Sequence, residues 1–111
     1  MDERRNHDRV RRQLMITCRN ETVNFETVTM DICPGGVFIV TNKLLAPKTM
    51  LDIEIHFDSA SPVVCRGEVT WVNRGQVVYY PAGFGVRFKD IPLESLEILL
   101  PACSETFQDA W

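Results

Sequence analysis

With 111 residues, 45% of them hydrophobic, and a net charge of -3, the chain has material for one domain and one core, and not for two. No run approaches the roughly 18 consecutive apolar residues of a membrane-spanning helix, and the opening MDERRNHDRVRRQ is too charged for a secretory signal, so a cytoplasmic location with no membrane insertion is expected. Cys18, Cys33, Cys65 and Cys103 form no CxxC pair and have no histidine at zinc-ligand spacing, which argues for reduced, buried thiols over a metal knuckle or a disulfide framework.

Residues 1 to 12 read as an arginine-rich arm. Arg4, Arg5, Arg9, Arg11 and Arg12 stand against Asp2, Glu3 and Asp8, five minus three or +2, and the segment has too few apolar residues to join a core. Residues 90 to 111 hold Asp90, Glu94, Glu97, Glu105 and Asp109 with no Lys or Arg, which gives -5. An anion is drawn to the N-terminal end, whereas a general nucleic-acid binder carries a basic face.

From residue 13 to 111 the chain reads as one small all-β domain with a terminal helix. Residues 13 to 33 give two strands: Leu14, Ile16 and Cys18 alternate with polar neighbours, and Val23, Phe25, Val28, Met30 and Ile32 follow with a phase change near Glu26 and Thr27 that suggests a bulge. Pro34, Gly35 and Gly36 punctuate, and GVFIVT resumes an extended run. NKLLAPKT is a loop, after which Leu51, Ile53, Ile55 and Phe57 alternate cleanly with Asp52, Glu54 and His56, the mark of a half-buried antiparallel strand. DSASP is turn chemistry, PVVCRGEVTWVN a long strand interrupted at Gly67, and GFGVRF its partner through RGQVVYYPA. Short strands at this spacing indicate a small barrel or sandwich. In the tail, Asp90 and Pro92 mark a helix start, Leu93, Leu96 and Leu100 lie on one side, and Pro101 limits continuation.

Two features carry chemistry. Arg5 and Arg9 stand four apart in RNHDR with Arg4 beside them, and a guanidinium can fork onto phosphate, onto guanine O6 and N7, or stack on a purine. In DICPGG, the Asp31 carboxylate can accept from a guanine N1 and N2 edge, Pro34 and Gly35 make a tight turn, and Gly36 allows close backbone approach. Singly, each has an ordinary reading, a basic arm and a turn between strands.

Together they resemble the PilZ domain family of cyclic di-GMP receptors, whose pattern is RxxxR near the N-terminus followed twenty to thirty residues later by (D/N)xSxxG. Arg5 and Arg9 match the first part, Asp31 and Gly36 the ends of the second, and RGEVTWVN and GFGVRF look like the family's later strands. The resemblance implies a six-stranded antiparallel β-barrel, a C-terminal helix, and a mobile arm closing over cyclic di-GMP. It assigns Arg5, Arg9 and their helper Arg4 to phosphates and guanine, Asp31 and Cys33 to a guanine edge, and Gly36 to close approach. Trp71 sits where the family often has an aromatic near the ligand, and a core position is the equal alternative. Cys33 replaces the family's serine, a weak hydrogen-bonder for a hydroxyl; the loss is about 1 kcal/mol, roughly fivefold in affinity.

No catalytic constellation is visible: His7 lies in the arm and His56 on an apparent solvent face, so the chain reads as a binding module, not an enzyme, with no cofactor. The partners expected are cyclic di-GMP and a protein of a motility, pilus, biofilm or exopolysaccharide pathway. The alternative is a degenerate PilZ domain that binds no nucleotide and acts only through protein contacts, with the acidic helix and the tail ending in Phe107 and Trp111 as the docking surface.

Overall fold

The computed structural model describes residues 10–57 and 61–109; the side chains of residues 10, 11, 102 and 104–109 lie outside the description. Among the described residues the strands are β1 (Val10–Arg11), β2 (Met15–Arg19), β3 (Asn24–Cys33), β4 (Gly36–Val40), β5 (Met50–His56), β6 (Val63–Asn73) and β7 (Gly83–Asp90), followed by the helix α1 (Leu93–Asp109). Pairing is antiparallel in the order β1-β3-β2-β5-β6-β7-β4, and a further β3–β4 ladder closes the ring. Strands β2 to β7 thus form a closed six-stranded barrel, and closure gives each strand a partner on both sides.

The short β1 extends the wall of this barrel. At Val28 and at Ile32, β3 already pairs with β4 on one edge, so β2, facing Val28, and β1, facing Ile32, share the other edge. Between them the ladder breaks, and Thr29 fills the gap. Its buried hydroxyl accepts from the Leu14 N–H at 3.0 Å and donates to the Arg12 carbonyl at 2.7 Å. The Thr29 N–H donates to the Leu14 carbonyl at 2.9 Å, and the Arg12 N–H to the Met30 carbonyl at 3.0 Å. Every buried backbone group needs a partner, and one threonine supplies the two that the broken ladder withholds. The arm's last residues are thereby fastened to β3.

Alternation in β5 fills the barrel as the sequence predicts: Leu51, Ile53 and Ile55 are buried, as is Phe57 just beyond, while Asp52 and His56 are exposed. They meet Ile16 and Cys18 of β2, Ile39 of β4, Val63 and Val69 of β6 and Phe84 of β7 in one continuous core. Each such side chain contributes about 1.5–3 kcal/mol by leaving water. The β3 irregularity is not where the phase change suggested: the strand runs unbroken past Glu26 and Thr27, and the bulge falls between Thr29 and Asp31. Strand β6 runs on through Gly67, but its register against β7 shifts between Arg66 and Gly67; a Cβ at Gly67 would overlap Val86 Cγ1, so glycine keeps the two strands close.

The helix begins after Pro92, whose carbonyl accepts from the Ser95 and Leu96 N–H groups at 3.0 Å each. Its buried face differs from the expected one. Ser95, Leu99 and Cys103, spaced by four, are buried, whereas Leu93 and Leu100 are exposed and Leu96 is half-buried. The reason is a polar anchor: Ser95 Oγ accepts the Val64 N–H at 2.8 Å, which fixes the rotation of the helix against β6 and hence which side faces the core. Pro101 lies inside α1 and does not end it. No described helix is long and apolar enough to cross a membrane.

Candidate functional site

Two bulges decide what lines the outer wall. Thr29 faces Ile39 and Asp31 faces Phe38, leaving Met30 as an extra residue in β3; Val69 faces Val86 and Trp71 faces Gly85, leaving Thr70 extra in β6. Residues two apart in a regular strand share a face, and an inserted residue reverses that. Thr29 and Val69 therefore lie on the core side with Ile39 and Val86, and Asp31 and Trp71 on the other.

Register then aligns them. Phe38 pairs with Asp31 on one side and Gly85 on the other, and Gly85 pairs with Trp71. Asp31, Phe38, Gly85 and Trp71 form a row across four strands, about 14 Å long at the usual strand spacing. Gly85 joins its two halves. A Cβ at that position would overlap the Trp71 indole at Nε1, so the glycine lets the indole lie across β7, its ring 5.3 Å from that of Phe38 and tilted by 38°.

Tyr80 covers the row from the connection between β6 and β7. Its ring meets Phe38 edge-on at 4.9 Å and stands 5.9 Å from the Trp71 ring. Its hydroxyl donates to Asp31 Oδ2 at 2.6 Å. Asp31 is 3% exposed and Trp71 40%. Phe38 is thus buried without belonging to the barrel interior, and Trp71 forms the open end of an aromatic floor.

What holds Tyr80 is Asn73, the last residue of β6 and fully buried. Its Nδ2 donates to the carbonyls of Val77 (3.1 Å), Tyr80 (3.1 Å) and Pro81 (3.0 Å), and its Oδ1 accepts from the N–H groups of Gly75 (3.2 Å) and Val77 (3.0 Å). Two amide hydrogens shared among three carbonyls tie the loop into a ring around one side chain.

The Pro34–Gly35 turn closes the β3–β4 hairpin, with Cys33 facing Gly36. By alternation from Asp31 and Phe38, Cys33 and Gly36 belong to the outer face. Glycine at 36 is demanded by the barrel itself, because a Cβ there would overlap the Val86 carbonyl oxygen, whereas one at Gly35 would meet nothing. Arg87, directly opposite Gly36, is an exposed arginine on the same face. Cys33 is buried near the helix: burial first, and then the neighbouring Cys33, push the Cys103 thiol up to about 11, with Arg12 acting in the opposite sense. Burial alone pushes Cys18 and Cys65 up to about 12. These three are thiols at neutral pH, and all four cysteines are free and buried.

Of the residues singled out in the sequence, the structure brings Asp31, Cys33, Gly36 and Trp71 to one outer face. Arg4, Arg5 and Arg9 lie outside the described residues. Their continuation does not: β1 seats Val10 opposite Ile32 and Arg11 opposite Asp31, one peptide bond beyond Arg9. Sequence reasoning missed Phe38, Asn73, Tyr80, Gly85 and Arg87. The signal for Asn73 was present in NRGQ, an Asx-turn composition; for the others it lies in long-range register. Among the described residues no three of His, Cys, Asp or Glu are grouped to hold a metal.

Comparison with known proteins agrees with this architecture. Residues 3–104 match the model of the PilZ domain. A structure described as the inhibitor of motility (MotI/DgrA) of Bacillus subtilis superposes with a TM-score of 0.82 at 16% identity, covering 97% of this chain and 53% of that one. The present chain therefore spans about half the length of that protein. The PilZ domain of YcgR from Escherichia coli, determined with c-di-GMP, superposes with a TM-score of 0.71 at 11% identity, covering 97% of this chain and 95% of that one. No curated protein matches the sequence.

Proposed function

The chain belongs to the PilZ domain family, and from that premise we propose that it is a cytoplasmic receptor for cyclic di-GMP that turns ligand binding into a changed protein-interaction surface. The observation that carries this reading is the β1–β3 pairing. It fastens Val10 opposite Ile32 and Arg11 opposite Asp31, so the RNHDR segment is tethered by its next two residues to the strand that carries the guanine acceptor. A doubly anionic ligand needs cations for its phosphates, an acceptor for the guanine N1 and N2 edge, and a flat surface for the base. Arg4, Arg5 and Arg9 supply the first, Asp31 the second, and the half-exposed Trp71 the third. Gly36 and Cys33 line the hairpin end of the same face. Pairing of the arm, residues 1–12, with the ligand orders it against the 13–111 barrel, and the ordered arm is what a protein of a motility, pilus, biofilm or exopolysaccharide pathway reads.

The test is isothermal titration calorimetry with cyclic di-GMP, with GTP as the specificity control. Saturable binding is expected for cyclic di-GMP only, weakened roughly 10- to 100-fold by Arg9→Ala, the effect of losing charge-assisted hydrogen bonds to phosphate. Unchanged affinity in Arg9→Ala overturns the arm's role. A second reading, a PilZ domain that binds no nucleotide and works by protein contact alone, is favoured by Cys33, buried near Cys103 of α1 where the family pattern has serine; no heat with cyclic di-GMP selects it.

A further inference from the structure

We propose that Arg87 is a second, fixed phosphate contact of the receptor: it holds one phosphodiester of the cyclic dinucleotide from the barrel wall while the arginine-rich arm holds the other. The proposal rests on the receptor reading above and adds a residue that the RxxxR and (D/N)xSxxG motifs do not contain.

Register places it. Beside the row of Asp31, Phe38 and Gly85, two residues away on each strand and so about 7 Å along at the usual rise per residue, runs a parallel row of Cys33, Gly36 and Arg87, which continues onto β6 at Glu68. Gly36, directly opposite Arg87, has no side chain to wall the guanidinium off from β3. The backbone around Arg87 is pinned on both edges: it pairs with Gly36 and with Glu68, and the next N–H, that of Phe88, donates to the Gly35 carbonyl at 3.0 Å. An arginine on such a strand is a fixed point of the wall.

Charge leaves it available. Opposite charges facing each other across antiparallel strands attract, and Glu68, directly opposite, is the acid that would neutralise Arg87. Its carboxylate is engaged by Lys89 instead, Nζ to Oε1 at 3.4 Å. Strand β7 thus turns two cations outward beside one carboxylate, and among the described residues the exposed Arg87 side chain has no hydrogen bond or ion pair. A guanidinium with all its donors free is suited to fork onto phosphate oxygens. Position selects the ligand. The arm joins the wall through β1, on the edge of β3 away from β4, while Arg87 stands on β7, across Gly36. A molecule seated over the hairpin end has the root of the arm on one flank and Arg87 on the other. A cyclic dinucleotide carries its two phosphodiesters on opposite sides of its ring and can engage both flanks, whereas a nucleoside triphosphate carries its charge in a single string.

The test is calorimetric titration of wild type, Arg87→Gln and Arg87→Lys with cyclic di-GMP, together with thermal melts of all three without ligand. Arg87→Gln, which keeps much of the side chain's length and loses its charge, is expected to bind roughly tenfold more weakly, the equivalent of one hydrogen bond to a charged group. Arg87→Lys keeps the charge and is expected to stay within about threefold of wild type. The unliganded melting points are expected to coincide, since the side chain is exposed and unpaired. Affinity in Arg87→Gln within about twofold of wild type, or Arg87→Lys as weak as Arg87→Gln, overturns the phosphate contact while leaving the receptor reading intact. Absence of binding by the wild type removes the receptor reading, and the contact with it.

Discussion

The same strands build both faces of the barrel, and the two faces follow different rules. Inward, β5 sets Leu51, Ile53 and Ile55 against the core in strict alternation, and any apolar side chain of similar size would serve. Outward, the row of Asp31, Phe38, Gly85 and Trp71 depends on an inserted residue in each of two strands and on a glycine between two aromatics. The inner face is redundant, because many contacts share the load. The outer row is not, since each residue is there to place the next. A barrel of this kind can keep its fold while its site drifts, and 11% and 16% identity to structures of the same shape is what that difference leads one to expect.

Substitution can break that contrast. The largest effect belongs to Asn73→Ala, which removes five hydrogen bonds from a buried residue and is expected to cost about 3 kcal/mol, several times a single net hydrogen bond. Denaturant unfolding followed by Trp fluorescence measures it. A cost under about 0.5 kcal/mol would mean that the loop opens separately from the barrel, and that the outer row is not part of the cooperative unit.

Gly85→Ala comes next. The added Cβ overlaps the indole of Trp71, and overpacking of this kind costs about 1–3 kcal/mol. Gly35→Ala is the control, because a Cβ there meets nothing within 4 Å. The expected result is a red-shifted Trp71 emission and a lowered midpoint in Gly85→Ala, with neither in Gly35→Ala. Trp111→Phe as the background isolates the Trp71 signal. An unshifted emission would show that the indole does not need the glycine, and would dissolve the row as a unit.

The contrast also explains what could be read from the sequence. Period-two alternation announced β5 and β2, and turn chemistry announced the Pro34–Gly35 hairpin, so the barrel was legible. Position of the bulges was not. The regular alternation Val28, Met30, Ile32 hides the insertion at Met30, because it reads as one unbroken face, whereas the buried core-side residues on either side of the bulge are Thr29 and Ile32. Trp71 was left between core and surface for the same reason: Val69 and Trp71 look like one face until Thr70 is known to be extra. The helix face was misjudged because leucine spacing was weighed and the Ser95 anchor to Val64 was not, a contact between residues 31 apart. Asp31 and Trp71 were named in advance, but Tyr80, which touches both neighbourhoods, is placed by a loop that no local pattern describes.

The smallest effect probes the inner face by pH. Cys18 and Cys65 line the core, and burial raises their thiols from an ordinary 9.0 to about 12. A raised folded pKa means stability that is present in full below pH 9 and lost as pH climbs toward 12, because the unfolded chain then releases a proton that the folded chain retains. Each thiol steepens the alkaline loss by about 1.4 kcal/mol per pH unit. Cys18→Ala removes one of them. The lost packing gives a constant offset at every pH, so the readout is the slope: urea unfolding between pH 9 and 10.5 is expected to be less pH-dependent in Cys18→Ala by about 1 kcal/mol per unit, since the unfolded thiol is only half ionised at pH 9, with Lys and Tyr titration cancelling between the two proteins. Equal slopes would mean that Cys18 ionises in the folded barrel as readily as in the unfolded chain. Water would then reach the inner face as it reaches Trp71, and the distinction between a dry interior and a constructed outer row would fail at its simpler half.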